Sequence, residues 1–193
     1  MIKINNCAIF GGTFDPIHNG HIFLIDALLA TKKFEKFIVV PAGDPWQKEP
    51  NVPARQRVEM VRLALVGRDL EISEVEVNRT GPSYALDTVT ELHSEFSAQR
   101  YTWVLGSDAF AQLDSWYRID ELAKLVEFLV IKRPGSAATS ARPNFKYETL
   151  EIAALDISAS EVRRKISAHE NYEELLPASV VNYIKEHGLY GAA

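Results

Sequence analysis

Four stretches of this chain, "CAIFGG", "KFIVVPAG", "YTWVLGSD" and "VEFLVIKRPG", carry apolar runs that do not alternate with polar residues. A strand with one wet face alternates; a strand covered on both faces need not, and parallel sheets are covered on both faces. Between the runs lie "HIFLIDALLATKKF", "ARQRVEMVRLALVG", "SYALDTVTELHSEF" and "RIDELAKL", which are amphipathic. In the second, Val58, Val61 and Leu65 fall at helical spacing, with Arg55, Arg57 and Arg62 mostly elsewhere. Strand–helix alternation with crossover connections predicts the α/β class: a doubly wound, Rossmann-like parallel sheet with helices on both faces. "LEISEVEV" (Leu70 to Val77) does alternate, which predicts a strand nearer an edge. Further helices are expected at "SASEVRRKISAH" and at "PASVVNYIKEHG", the latter ended by Gly188. There is no internal repeat.

With 193 residues, 47% of them hydrophobic and 24% charged, the chain suits one domain, 1–193, with the C-terminal helices (about 157–190) packed on it. The formal net charge of −5 argues against a nucleic-acid polymer or an anionic membrane as partner. Any phosphate must therefore be held locally, by a few placed cations and backbone N–H groups. A single cysteine, Cys7, excludes an internal disulfide and a Cys-cluster metal site, and its apolar surroundings suit a buried inert thiol. "MIKINN" lacks a signal-peptide core and no apolar run is long enough to span a bilayer, so a cytoplasmic location is expected.

In a doubly wound sheet, ligands bind beyond the carboxyl ends of the strands. Three pieces of sequence arrive there. The first is "GGTFDPIHNGH", in which Gly11-Gly12-Thr13-Phe14 leave the first strand and His18 and His21 bracket a helix start. Glycines let backbone approach a ligand, and imidazole N–H groups there can bond phosphate oxygens. The plainer reading makes His18 a turn residue and His21 a solvated first-turn residue. The second piece is Gly106-Ser107-Asp108, leaving the "YTWVL" strand. The third is the start of "SASEVRRK", a helix N-terminus suited to a phosphate. Ser158-x-x-Glu161 has the form of a capping box, and Ser160 and Arg163 share a face on which the guanidinium can fork onto phosphate oxygens; a solvated "RRK" face is the alternative. Two loops, "AGDPWQKEPNVP" and "RPGSAATSARPN", read as surface loops beside a site.

No Ser-His-Asp order, reactive cysteine or G-x-x-x-x-G-K-[ST] loop is present. A substrate phosphate is a nucleophile that needs no general base, because its second pKa is about 6. Such a reaction needs two polyanions held in line and charge neutralised on the leaving group, and positioning can supply roughly 7–11 kcal/mol. A divalent ion, Mg²⁺ above all, would arrive with a triphosphate rather than in an all-protein cage.

"GGTFDPIHNGH", "SYALDTV", "GSDAFAQLDSWYRIDEL" and "ISASEVRRKI" together resemble the bacterial nicotinate-nucleotide adenylyltransferase family, in the H-x-G-H nucleotidyltransferase superfamily. The resemblance runs from the first strand to "VVNYIKEHGLY". It implies that ATP and nicotinate mononucleotide give nicotinate adenine dinucleotide and pyrophosphate, the mononucleotide phosphate attacking the α-phosphorus directly. It implies that Gly11, Gly12, Thr13 and Phe14 line a shared floor, and that His18, His21 and Arg163 are catalytic and contact the ATP phosphates. Gly106 and Asp108 would hold the adenosine, and Ser158 and Ser160 the phosphates and adenine side. Gly12, Lys48, Ser83, Tyr84, Ala85, Trp116 and Tyr117 would bind nicotinate mononucleotide. Mg²⁺ would come with ATP, no metal would be held by the protein itself, and a homo-oligomer is compatible with the family.

Two departures stand out. The family often has Pro-Pro-His-Lys after the second strand, whereas this chain has Pro45-Trp46-Gln47-Lys48; "ISAS" replaces the commoner Ile-Ser-Ser-Thr, so Ala159 brings no hydroxyl. Asp15 reads as a residue that shapes its turn with Pro16. Three other readings stay open: an adenylyltransferase preferring nicotinamide mononucleotide, one acting on pantetheine phosphate, and a catalytically silent nucleotide sensor.

Overall fold

The computed structural model describes residues 4–132, 144–153 and 155–192. Among these, β1 (Ile4–Gly12), β2 (Lys36–Pro41), β3 (Glu71–Ile72), β4 (Ala98–Gly106), β5 (Val126–Lys132) and β6 (Tyr147–Glu151) form one sheet. Every pairing is parallel and the order is β3-β2-β1-β4-β5-β6. The expected doubly wound architecture is therefore present, with its switch point between β1 and β4.

The unbroken apolar runs have a simple cause. Ala8, Phe10, Val39 and Val104 point to one face, where they meet Ile25 and Leu28 of α1 (Asn19–Ala30) and Met60 and Val61 of α2 (Ala54–Leu65). Val162 and Ile166 of α7 (Ala159–Ser167) and Val180 and Ile184 of α8 (Ala178–Glu186) join the same face. Cys7, Ile9, Val40 and Trp103 point the other way, toward Leu86, Val89 and Leu92 of α4 (Ala85–Glu95), Phe110 of α5 (Ser107–Ala111) and Leu122 of α6 (Ile119–Leu125). Burial of this kind contributes roughly 25 cal/mol per Å² of apolar surface removed from water. Ser179 Oγ donates to the Leu63 carbonyl at 3.1 Å, tying α8 to α2. Cys7 is fully buried and its thiol pKa is pushed up to about 12 by desolvation, as suits an inert side chain.

Three local features differ from the sequence expectation. The strand expected over Leu70–Val77 is only Glu71–Ile72, at the sheet edge, and gives way to α3 (Val75–Asn78). The chain turns because Glu76 faces inward: it is 5% exposed and accepts a 2.6 Å hydrogen bond from Thr88 Oγ1 on α4. Beyond β5 the sheet gains β6, which pairs with it from Phe128↔Tyr147 to Lys132↔Glu151. On α2, Arg57 sits among the apolar residues, fully buried, instead of on the wet face. Its Nε donates to the Val52 carbonyl (3.2 Å) and its two terminal nitrogens to Thr13 (2.6 Å) and Gly43 (3.0 Å), so its polar atoms are satisfied inside. In the expected loop "RPGSAATSARPN", all but Asn144 lie outside the described residues. No helix among the described residues is long and apolar enough to cross a membrane.

Candidate active site

β1 delivers Gly11 and Gly12 to the carboxyl edge of the sheet, at the switch point. A Cβ on Gly12 would lie 2.8 Å from the Phe14 ring, so this floor requires glycine. Phe14 is buried at φ 49° and packs edge-on against His21, with ring centroids 5.1 Å apart. His18 is the N-cap of α1, and its ring stacks on His21 at 3.7 Å. The backbone N–H of His18 donates to His21 Nδ1 (3.2 Å). In the neutral imidazole the remaining proton of His21 must then sit on Nε2, which makes that atom a donor. His18 Nδ1 is buried with no partner among the described residues.

These groups line a cleft of about 480 Å³ together with Thr13, Lys48, Ser158, Ser160 and Arg163. Ser158 caps α7, its Oγ accepting from Glu161 N at 3.1 Å, so the capping half of its expected role is met. Arg163 donates through one nitrogen to the Asp15 carbonyl (2.7 Å) and through another to Ser160 Oγ (3.2 Å). Its other N–H groups make no hydrogen bond among the described residues and can bond a ligand. Ile157, the first residue of "ISAS", adds an apolar wall together with Leu24 and Leu155, which no motif signalled.

The corner is built for an anion. Burial holds the His18 pKa down at about 4. His21 is held well below its ordinary value, by burial first and then by His18 and Lys48. The Lys48 ammonium is disfavoured by burial and by Arg163, with Asp15 acting the other way. Each cation or potential cation here raises the cost of the next, and an incoming phosphate relieves all of them.

A second cleft, of about 300 Å³, opens on the other side of the same floor. Phe10, Gly11, Gly12, Thr13 and Lys48 line both clefts. Trp46, Ser83, Ala85, Gly106 and Trp116 line the second only. Trp116 stands edge-on to Trp103 (6.1 Å), and its Nε1 is buried without a partner among the described residues. Ser83 Oγ accepts from the backbone N–H groups of Gly43 (3.0 Å) and Asp44 (3.1 Å), so its hydroxyl pins the loop after β2. Glu76 also lines this cleft, its carboxyl pKa raised by burial against the pull of Thr88 and Ser83. Tyr84 and Tyr117, expected in the nicotinate pocket, are not among its lining residues; they stack on each other at 4.3 Å, with the cleft-lining Trp46 6.2 Å from Tyr84. Ala85 starts α4, whose first N–H groups have no intrahelical acceptor and suit a carboxylate.

The structure thus gathers most of the residues singled out above. Gly106 falls on the second cleft and not on the His18/His21 side, and Asp108, in the first turn of α5, lines neither. Asp15, read from the sequence only as shaping its turn, lines the first cleft, and its carboxylate accepts the backbone N–H of Asn51.

A parallel sheet with a cationic corner at its switch point, flanked by an aromatic cleft on a common floor, has the form of an enzyme that binds two ligands side by side. The chain belongs to the cytidylyltransferase-like family, whose sequence pattern matches residues 9–165. It is 36% identical over 184 residues to a probable nicotinate-nucleotide adenylyltransferase of Leifsonia xyli, covering 94% of this chain and 92% of that protein. It is 37% identical over 194 residues to the protein of the same description from Gloeobacter violaceus, covering 94% of each. Among solved structures, it superposes on Plasmodium falciparum nicotinic acid mononucleotide adenylyltransferase complexed with NaAD, with a TM-score of 0.82. That likeness covers 98% of each chain at 23% identity and speaks to the fold.

Proposed function

We infer that this chain is a nicotinate-nucleotide adenylyltransferase, joining ATP to nicotinate mononucleotide to give nicotinate adenine dinucleotide and pyrophosphate in NAD biosynthesis. One observation carries the reading: two clefts of unlike chemistry share the Gly11–Thr13 floor and Lys48. The cationic cleft suits a triphosphate, and the aromatic cleft, with the start of α4 beside it, suits a flat ring bearing a carboxylate. The full-length relatives carry the same description.

In this reading a phosphate oxygen of the mononucleotide attacks the α-phosphorus of ATP. One P–O bond forms, the bond between the α-phosphorus and its bridging oxygen to the β-phosphate breaks, and pyrophosphate leaves with the electron pair. The nucleophile is already ionised, so no side chain need take its proton. His21 Nε2, Lys48 and the free N–H groups of Arg163 stabilise the oxygens on which charge grows. Lys48, shared by both clefts, screens the repulsion between the two substrates. The donors at this corner fit phosphate oxygens, so Mg²⁺ would enter bound to the triphosphate, offsetting its charge. The cytoplasm, where both substrates are available, is the compartment this reading implies.

Pyrophosphate release with ATP and Mg²⁺ against three acceptors tests the assignment. Release should be fast with nicotinate mononucleotide, and at least about tenfold slower with nicotinamide mononucleotide, whose amide loses the charge-assisted bond to the backbone donors. Release with phosphopantetheine alone would move the chain to another branch of the family.

A further inference from the structure

Asp15 poses a problem for the site just described. It is 4% exposed and lines the cleft that receives the triphosphate. A carboxylate there repels phosphate, and on charge alone its removal should tighten binding. Its surroundings explain why it is there. Oδ1 accepts the hydroxyl of Tyr190, 175 residues later in the chain, at 2.8 Å. Oδ2 accepts the backbone N–H of Asn51 (2.7 Å) and its side-chain Nδ2 (3.2 Å), and lies 3.8 Å from the guanidinium of Arg163. The main-chain carbonyl of Asp15 takes the 2.7 Å bond from Arg163. One residue therefore ties the β1 loop to α7, to the segment holding Lys48, and to the last turn of the chain.

Those connections are made inside the protein, where they are worth most. Burial, and then Asp15 itself, raises the phenol pKa of Tyr190, so it stays a donor at neutral pH. Asn51 closes the loop that carries Lys48, and Arg57 anchors the same loop from Gly43 to Val52. Without the carboxylate, the Lys48 loop would lose its two Asn51 bonds, and Arg163 would keep its bonds to the Asp15 main-chain carbonyl and Ser160 but lose the negative charge 3.8 Å away.

We propose that Asp15 is a positioning residue for the triphosphate: clamped by Tyr190 and Asn51, it holds Arg163 and the Lys48 loop where both reach the phosphates. This rests on the reading of the first cleft as the ATP site. Positioning and charge predict opposite signs, which makes the proposal testable. Binding of an ATP analogue with a methylene bridge between the α- and β-phosphates, with Mg²⁺, is measured on the full chain by calorimetry at 25 °C, with the fold checked by thermal melting. Asp15→Asn should weaken binding about tenfold, and Tyr190→Phe about threefold to fivefold, as expected for loss of hydrogen bonds to a charged group felt partly through the cleft. Because Tyr190 acts only through Asp15, the double variant should bind no worse than Asp15→Asn. In turnover, the KM for ATP should rise in the same order.

Tighter or unchanged binding in Tyr190→Phe and Asp15→Asn would overturn the proposal and leave the ATP cleft intact. Additive losses in the double variant would also overturn it. Should Asp15→Asn fail to fold, Tyr190→Phe and Asn51→Ala decide alone, each weakening binding or sinking the idea. Failure of the unaltered chain to bind the analogue would overturn both the cleft reading and the proposal.

Discussion

The His21→Ala protein is expected to turn over about 10²- to 10³-fold more slowly, the usual cost of one preorganised donor to developing charge. The expectation follows from the tautomer. With Nδ1 engaged by the His18 N–H, Nε2 carries the proton on a ring that lines the phosphate cleft, a donor fixed before the reaction begins. Burial and the neighbouring cations keep the ring neutral when the cleft is empty, so its full attraction for phosphate develops only as negative charge accumulates. ATP affinity should therefore fall less than about tenfold, the loss residing in kcat. Steady-state kinetics and equilibrium binding on the same preparation check this. Equal losses in both would make His21 a ground-state ligand only.

The Arg57→Met protein is expected to lose about 3–5 kcal/mol of stability, the range for removing one partner from a buried charged network. Methionine matches the length of the stem and fills its packing, but it donates nothing to the carbonyls of Thr13, Gly43 and Val52. The Val52 bond is buried and those to Thr13 and Gly43 are part-buried around a fully buried side chain, and an unpaired buried acceptor costs about 1–3 kcal/mol. Relief from burying the cation offsets part of the loss, which is why the expected total is below the simple sum. In a chain of this length the thermal midpoint should fall by about 10 °C. The damage should reach function as well, since Thr13 floors both clefts and Gly43 begins the loop that carries Lys48. A urea or thermal melt within experimental error of the unaltered chain would show that the three bonds are replaced by water or by relaxation.

Much of this was legible in the sequence, for identifiable reasons. A strand sealed on two faces leaves an unbroken apolar run, and β1, β2, β4 and β5 were each readable from it. The "GGTFDPIHNGH" segment was readable because glycines, a turn and two imidazoles follow one another along the chain. What escaped was whatever depends on partners distant in sequence. Glu76 on an alternating segment looks like the wet face of a strand, and only Thr88 and Ser83 explain why it turns inward. Arg57 looks like a surface cation until three carbonyls from three segments surround it. The bond from Tyr190 to Asp15 spans nearly the whole chain, and neither residue announces the other. Leu155, a plain apolar residue before α7, carries no signal that it walls a cleft. β6, partly exposed at the sheet edge, has too weak an apolar pattern to stand out.

In the proposed reaction the two substrates meet on one floor and react with each other, with no covalent enzyme intermediate. The configuration at phosphorus reports this directly. When a single diastereomer of ATP bearing sulfur on the α-phosphorus is converted with nicotinate mononucleotide, one in-line displacement inverts that centre, and inversion is expected. Retention, the outcome of two successive displacements through an adenylylated side chain, would contradict it.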